Sequence, residues 1–303
     1  MRYIRNNLLI LCFLLFGKNV LSQHDADVKS IFINNDTLHY IDVGQGDPII
    51  LVHGSFGDYR TWDAQTESFS KNHRVIAYSR RHAYPNKQAL SDQLDYTVAT
   101  HAEDLAELIK TLKLKPVHLV GHSYGAFTAL LTTLHHPELV RSLTLGEAPV
   151  ASLLSRVDSG EMIMQQVAVK TMIPAAEAFK NNDDEKATQI FVNGVMDDST
   201  YYGKMTLEQK KIMMQNTLES KGWLFFSKAQ NPIVTCEDLN KISIPVLLVT
   251  GDKSPFFLLK ISDQIHQCIN KSEEFVMSHT SHGLEYENPL PFNKAVLAFI
   301  GKH

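Results

Sequence analysis

Pro116-Val117-His118-Leu119-Val120-Gly121-His122-Ser123-Tyr124-Gly125-Ala126 is the stretch that decides how this chain of 303 residues folds. The apolar run from Pro116 to Val120 has the length and β-branched content of a buried strand. Ala126 to His136 has the composition of a helix, so the chain must turn from one to the other within a few residues. Such a turn forces Ser123 into strained backbone angles, and glycines two positions to either side keep β-carbons from colliding. The helix that follows points its free amide groups and positive dipole end at the space in front of Ser123. Three fixed positions recur by chance in roughly one chain in ten of this length, so the pentapeptide draws its weight from its surroundings.

Outward from this turn the chain alternates. Ser30 to Asn34, Leu38 to Val43, Pro48 to Val52 and Arg74 to Tyr78 read as strands. Val98 to Leu112 follows as an amphipathic helix with Leu105, Leu108, Ile109 and Leu112 on one face. Leu143 to Leu145, Val246 to Val249 and Glu274 to Met277 complete the strands, and Phe292 to Ile300 closes the chain as a helix. Short apolar strands separated by helices imply an α/β fold whose mostly parallel sheet is covered on both faces. The alternation breaks over residues 150–242, which are helical in period and contain seven of the nine methionines. Ser159 with Glu161, Asp184 with Glu185, and Thr206 with Gln209 mark helix starts there. This stretch reads as a helical cap inserted between a first core segment, 23–149, and a second, 243–303. Its methionines suit an adaptable pocket wall, or fill the core of the cap itself.

A serine hydroxyl needs a base to take its proton and a carboxylate to orient that base. Asp252 ends the strand Val246 to Thr250, and His282 ends the next one, so both fall on the sheet edge that carries Ser123. His279 is the rival base; Gly283, directly after His282, allows the closer backbone approach. Glu147, after Leu143 to Leu145, is the alternative acid. The oxyanion of an acyl-transfer intermediate needs two donors. The amide of Tyr124 is one, and the loop His53-Gly54-Ser55-Phe56-Gly57 supplies the other, from Ser55 before Phe56. His53 is expected to brace that loop through its ring nitrogens.

His53-Gly54, Gly121-His122-Ser123-Tyr124-Gly125, Gly251-Asp252 and His282-Gly283 together resemble the lidded α/β-hydrolase superfamily. The resemblance extends from about Ser30 to the C-terminus and is least specific in the cap. Tyr78-Ser79-Arg80-Arg81-His82 and Glu287-Asn288-Pro289 are also similar to loops of bacterial hydrolases of this type. It implies an eight-stranded sheet and a Ser–His–Asp triad without fixing a substrate. Dehalogenases and epoxide hydrolases of similar outline use an aspartate where Ser123 stands.

The chain is 44% hydrophobic and 20% charged, which is ordinary globular composition. Arg2 and Arg5 precede the apolar run Leu8 to Phe16, and Val20-Leu21-Ser22 ends in small residues, the order of a signal peptide over residues 1–22. The apolar run is too short to span a bilayer, which takes about 20 residues. Removing Arg2, Arg5 and Lys18 would take the formal charge from −4 to −7. An acidic chain without a basic patch argues against nucleic acid and anionic membranes as partners. Cys236 and Cys268 remain after cleavage, as a pair or as two buried thiols. His24-Asp25-Ala26-Asp27 reads as a loose terminus, His135-His136 as a helix end, and Arg80, Arg81 and His82 as a solvated loop. No metal or other cofactor is expected. The expected activity is a secreted or periplasmic serine hydrolase acting on a small carboxylic ester. Lactones, amides, acyl transfer and cofactor-free perhydrolysis are alternatives for the same triad, and a non-catalytic small-ligand binder is the alternative of another class. Oligomeric state is not legible.

Overall fold

The computed structural model describes residues 27–86, 88–226 and 231–303. The segment read as a signal peptide, with Cys12, and His24 to Ala26 lie outside these residues. Eight strands form one sheet: β1 (Lys29–Ile33), β2 (Asp36–Val43), β3 (Pro48–Val52), β4 (Arg74–Ser79), β5 (Val117–His122), β6 (Val140–Gly146), β7 (Val246–Gly251) and β8 (Ser272–Met277). Their spatial order is β1-β2-β4-β3-β5-β6-β7-β8, antiparallel for β1 with β2 and β2 with β4, parallel thereafter. β3 and β5 are buried along their whole length, the consequence of helices on both faces. β8 is an edge strand and buries little more than its last residue, Met277.

One face of the sheet carries α2 (Val98–Thr111), α3 (Tyr124–His135) and α11 (Phe256–Cys268). The Thr97 hydroxyl caps α2 by accepting from the Thr100 amide, and Val98, Ala102, Leu105, Leu108 and Ile109 turn inward at helical spacing. The other face carries α1 (Asp63–Phe69) and α13 (Pro289–Ile300), whose Phe69, Phe292 and Val296 pack with Trp62 under β3 and β7. The short α12 (Leu284–Glu287) lies between β8 and α13.

Between β6 and β7 the chain is helical: α4 (Gly160–Val167), α5 (Ile173–Lys180), α6 (Asp184–Met196), α7 (Tyr201–Lys204), α8 (Leu207–Gln215), α9 (Thr217–Phe225) and α10 (Cys236–Asn240). Thr206 caps α8 in a full capping box with Gln209, while α6 is capped by Asp183 rather than Asp184. This cap has its own apolar centre of Ala175, Phe179, Ala187 and Phe191, and Phe56 from the loop after β3 inserts its ring there, 5.0 Å from Phe191. Cys236 and Cys268 are joined in a disulfide between the start of α10 and the end of α11. Closing a loop of 32 residues restricts the unfolded chain, an effect of about 3–4 kcal/mol in the chain-entropy account.

Candidate active site

Ser123 sits between β5 and α3 with φ 52° and ψ −124°, a left-handed conformation that is costly for any residue but glycine. Its amide is tied to the Gly146 carbonyl at 2.7 Å, which fixes the turn to the end of β6. The glycines around it are required by close approach. A β-carbon on Gly125 would collide with the carbonyl oxygens of Val52 and His53, and one on Gly121 with Ala126 and the Gly125 carbonyl. Helix α3 therefore packs its first turn directly on the end of β3. Its first amides, that of Tyr124 included, lack the intrahelical partners that interior amides have.

His282 lies in the loop after β8, buried, with Nδ1 2.6 Å from Glu147 Oε2. Glu147 follows the last residue of β6, the strand next to β5, and takes φ 51°, which swings its carboxylate across the sheet edge. Its second oxygen accepts the Gly251 amide at 2.9 Å, so Glu147 is locked from both sides and only 1% exposed. Because Nδ1 faces a carboxylate, the ring carries its proton there. Ser123 and His282 line the same cavity.

This arrangement corrects the expectation for Asp252. That side chain is exposed, and its carboxylate accepts the Thr280 amide at 3.3 Å; the His279 and Thr280 amides lower its pKa. The turn after β7 packs tightly on the loop that carries His282, since a β-carbon on Gly251 would strike the Thr280 carbonyl, and the described contacts of Asp252 are to that loop's main chain. What this loop offers the site is the Gly251 amide that holds Glu147. The rival His279 has φ 55° and is exposed.

The loop after β3 is braced on every side. The Arg80 amide donates to His53 Nε2 at 3.1 Å, which leaves the proton on Nδ1 to donate to the Gly54 carbonyl at 2.8 Å. Burial, then the charge of Arg80, push the His53 ring well below its ordinary pKa, so it stays neutral. Phe56 has φ 58°, and Ser55 before it lines the cavity. That amide donates to no acceptor among the described residues.

The solvated-loop reading of Arg80 is also corrected. Arg80 is 1% exposed, and its guanidinium grips Glu219 of α9 with two contacts of 2.7 Å while donating to the carbonyls of His53 and Gly54. His101 Nε2 lies 3.0 Å from the same carboxylate. Burial opposes ionisation of Glu219, but Arg80 and His101 outweigh it and hold the carboxyl well below its usual range. Arg81 pairs with Asp104 at 2.6 Å, and buried His82 bonds the Asp95 carbonyl. This pairing leaves no local sequence signal, because Glu219 comes 139 residues after Arg80.

Two cavities, of about 290 and 210 Å³, meet at Ser55, Ser123, Phe191, Val195 and His282. The larger runs toward Arg60, Gln65 and Glu285 under Met196, Met205 and Met213. The smaller is lined mainly by apolar groups, among them Met164, Val167, Met172, Trp223 and Ile261. The cap methionines thus serve both readings, since Met172 and Met213 wall the cavities and also pack on the cap centre. Among the described residues no group of three His, Cys, Asp or Glu side chains could hold a metal ion, and no helix is long and apolar enough to cross a membrane.

The profile of the alpha/beta hydrolase fold matches residues 47–289. The chain belongs to the α/β-hydrolase family. This α/β-hydrolase is 24% identical to (E)-2-((N-methylformamido)methylene)succinate hydrolase of Acinetobacter baylyi, over 88% of this chain and 95% of that one. An esterase from a Rhodococcus species superposes with a TM-score of 0.71 at 19% identity, covering 90% of this chain and 98% of its own. An N-acyl homoserine lactone degrading enzyme gives the same TM-score and identity, covering 89% and 100%. Such similarity establishes the α/β-hydrolase fold, and the relatives indicate a hydrolase.

Proposed function

We propose that the protein is a serine hydrolase that cleaves a small carboxylic ester through an acyl-enzyme, with Ser123, His282 and Glu147 as its triad. The observation that carries this reading is the 2.6 Å contact from His282 Nδ1 to buried Glu147, made on the cavity that strained Ser123 lines. His282 Nε2 takes the hydroxyl proton as Ser123 Oγ attacks the carbonyl carbon. Glu147 keeps the proton on Nδ1 and balances the imidazolium charge. The amides of Tyr124 and Ser55 hold the oxyanion. His282 then protonates the departing alcohol, and water repeats the two steps to release the acid.

A substrate with one apolar limb suits the smaller cavity, whose walls are mainly apolar. Lactones and amides would pass through the same steps, so the bond cleaved is decided by what the two cavities admit. Export by the segment 1–22 belongs to the same proposal; the Cys236–Cys268 disulfide supports it, since such bonds persist in oxidising compartments. Nitrophenyl esters of graded acyl length, with matched lactones and anilides, test the reading. Turnover should be highest on an ester and fall by about 10⁴-fold or more in Ser123→Ala. A Ser123→Ala protein that keeps most of the activity refutes it.

A further inference from the structure

We infer that His122 and Glu285 form a second acid–imidazole pair, charged within the fold, that positions His282 and sets where the reaction fails on the acid side. The inference rests on His282 being the base of the proposed reaction. His122 is the last residue of β5, directly before Ser123, and its Nε2 donates to the main-chain carbonyl of His282 at 2.7 Å. Its Nδ1 lies 3.0 Å from Glu285 Oε1. The two imidazole rings are 4.6 Å apart, centroid to centroid.

Glu285 is the decisive residue. It is 0% exposed, and neither carboxylate oxygen has an aligned hydrogen-bond donor among the described residues. A buried carboxylate so placed is very costly unless a cation neutralises it or it takes up a proton. His122 is in contact with it. Burial works against a charge on His122, but Glu285, the His282 carbonyl and Glu147 outweigh it and raise its pKa. Gln65 donates to the main-chain carbonyl of Glu285 at 2.9 Å and to Asn293 Oδ1 at 3.0 Å, tying α12 to α1 and α13.

The groups facing the two rings are Glu147 after β6, and Glu285 and Tyr286 on α12, with Glu287 one contact further out on Ser281. Arg60, already paired with Asp58, and Asp63 line the same cavity. His122 is thus the positive charge in contact with the His282 ring. An imidazolium there disfavours a second one on His282, which must be neutral to accept the Ser123 proton. No sequence signal reveals this role, because the residue between Gly121 and Ser123 reads only as part of the turn.

Two measurements test the pair. Ring-nitrogen NMR on histidine-labelled protein should show both His122 nitrogens protonated at pH 7, and a neutral ring in Glu285→Gln. A neutral His122 in the unaltered protein at pH 7 overturns the inference. This readout needs no turnover and stands whether or not Ser123 is the nucleophile. In the second, His122→Gln keeps a donor for the His282 carbonyl without the charge. The acid limb of its kcat/KM profile should move up by about one pH unit, with the alkaline plateau lowered several-fold, and further lowered in His122→Leu. A purely structural role would depress the plateau and leave the limb where it was. An unmoved limb in a folded His122→Gln protein overturns the inference.

Discussion

The residue that most sharply separates this molecule from its sequence pattern is Glu147. Its carboxylate makes the 2.6 Å contact to His282, whereas Asp252 is exposed and serves its own turn. Glu147→Gln should therefore lower kcat by about 10³–10⁴-fold, the loss seen when the group fixing the histidine tautomer is neutralised. Asp252→Asn should stay within about tenfold of the unaltered protein, because the side chain is exposed and an Asn oxygen can still accept from the Thr280 amide. Steady-state rates on a nitrophenyl ester compare the two; equal losses would show that both carboxylates act on His282. Ser123 and His282 were legible as positions because strand, glycine and turn are local patterns. The acid was not. Asp252 follows a glycine at a strand end, the local signal, while Glu147 reaches His282 only through a positive φ and a lateral hop between neighbouring strands.

At the scale of elements, the loop that carries Ser55 is held as much by the cap as by the sheet. Phe56 packs on Phe179 and Phe191, Arg80 links the His53 and Gly54 carbonyls to Glu219, and Asn216 Nδ2 bonds Asp58 at 2.6 Å. The end of α8 and the first turn of α9 are thus pinned to the core. Removing one member of a buried ion pair strands the other, so Glu219→Leu or Arg80→Leu should each cost about 3–5 kcal/mol. The double variant should cost less than the sum of the two. Urea unfolding midpoints measure this; strictly additive losses would mean that the two charges do not depend on each other. Sequence periodicity located the strands and the helical stretch because burial repeats at fixed spacing. It misread Arg80, since a charge in a loop is read as solvated unless the distant segment that covers it is known.

For the whole molecule, an eight-stranded sheet gathers the ends of β3, β5, β6 and β8 at one edge, and the cap closes two cavities over them. The fold class was legible throughout, because alternating strands and helices leave few other ways to bury both sheet faces. What the cavities admit was not, since beside the cap methionines their walls come from Gln65, Phe191, Trp223 and Ile261, residues scattered along the chain and unmarked by any pattern. The proposed chemistry requires this edge to hold one activated serine. A fluorophosphonate probe followed by intact mass tests it most directly. A single adduct per chain is expected, mapped to Ser123 and abolished in Ser123→Ala. A folded protein that takes up no probe, or an adduct that persists in Ser123→Ala, would contradict it.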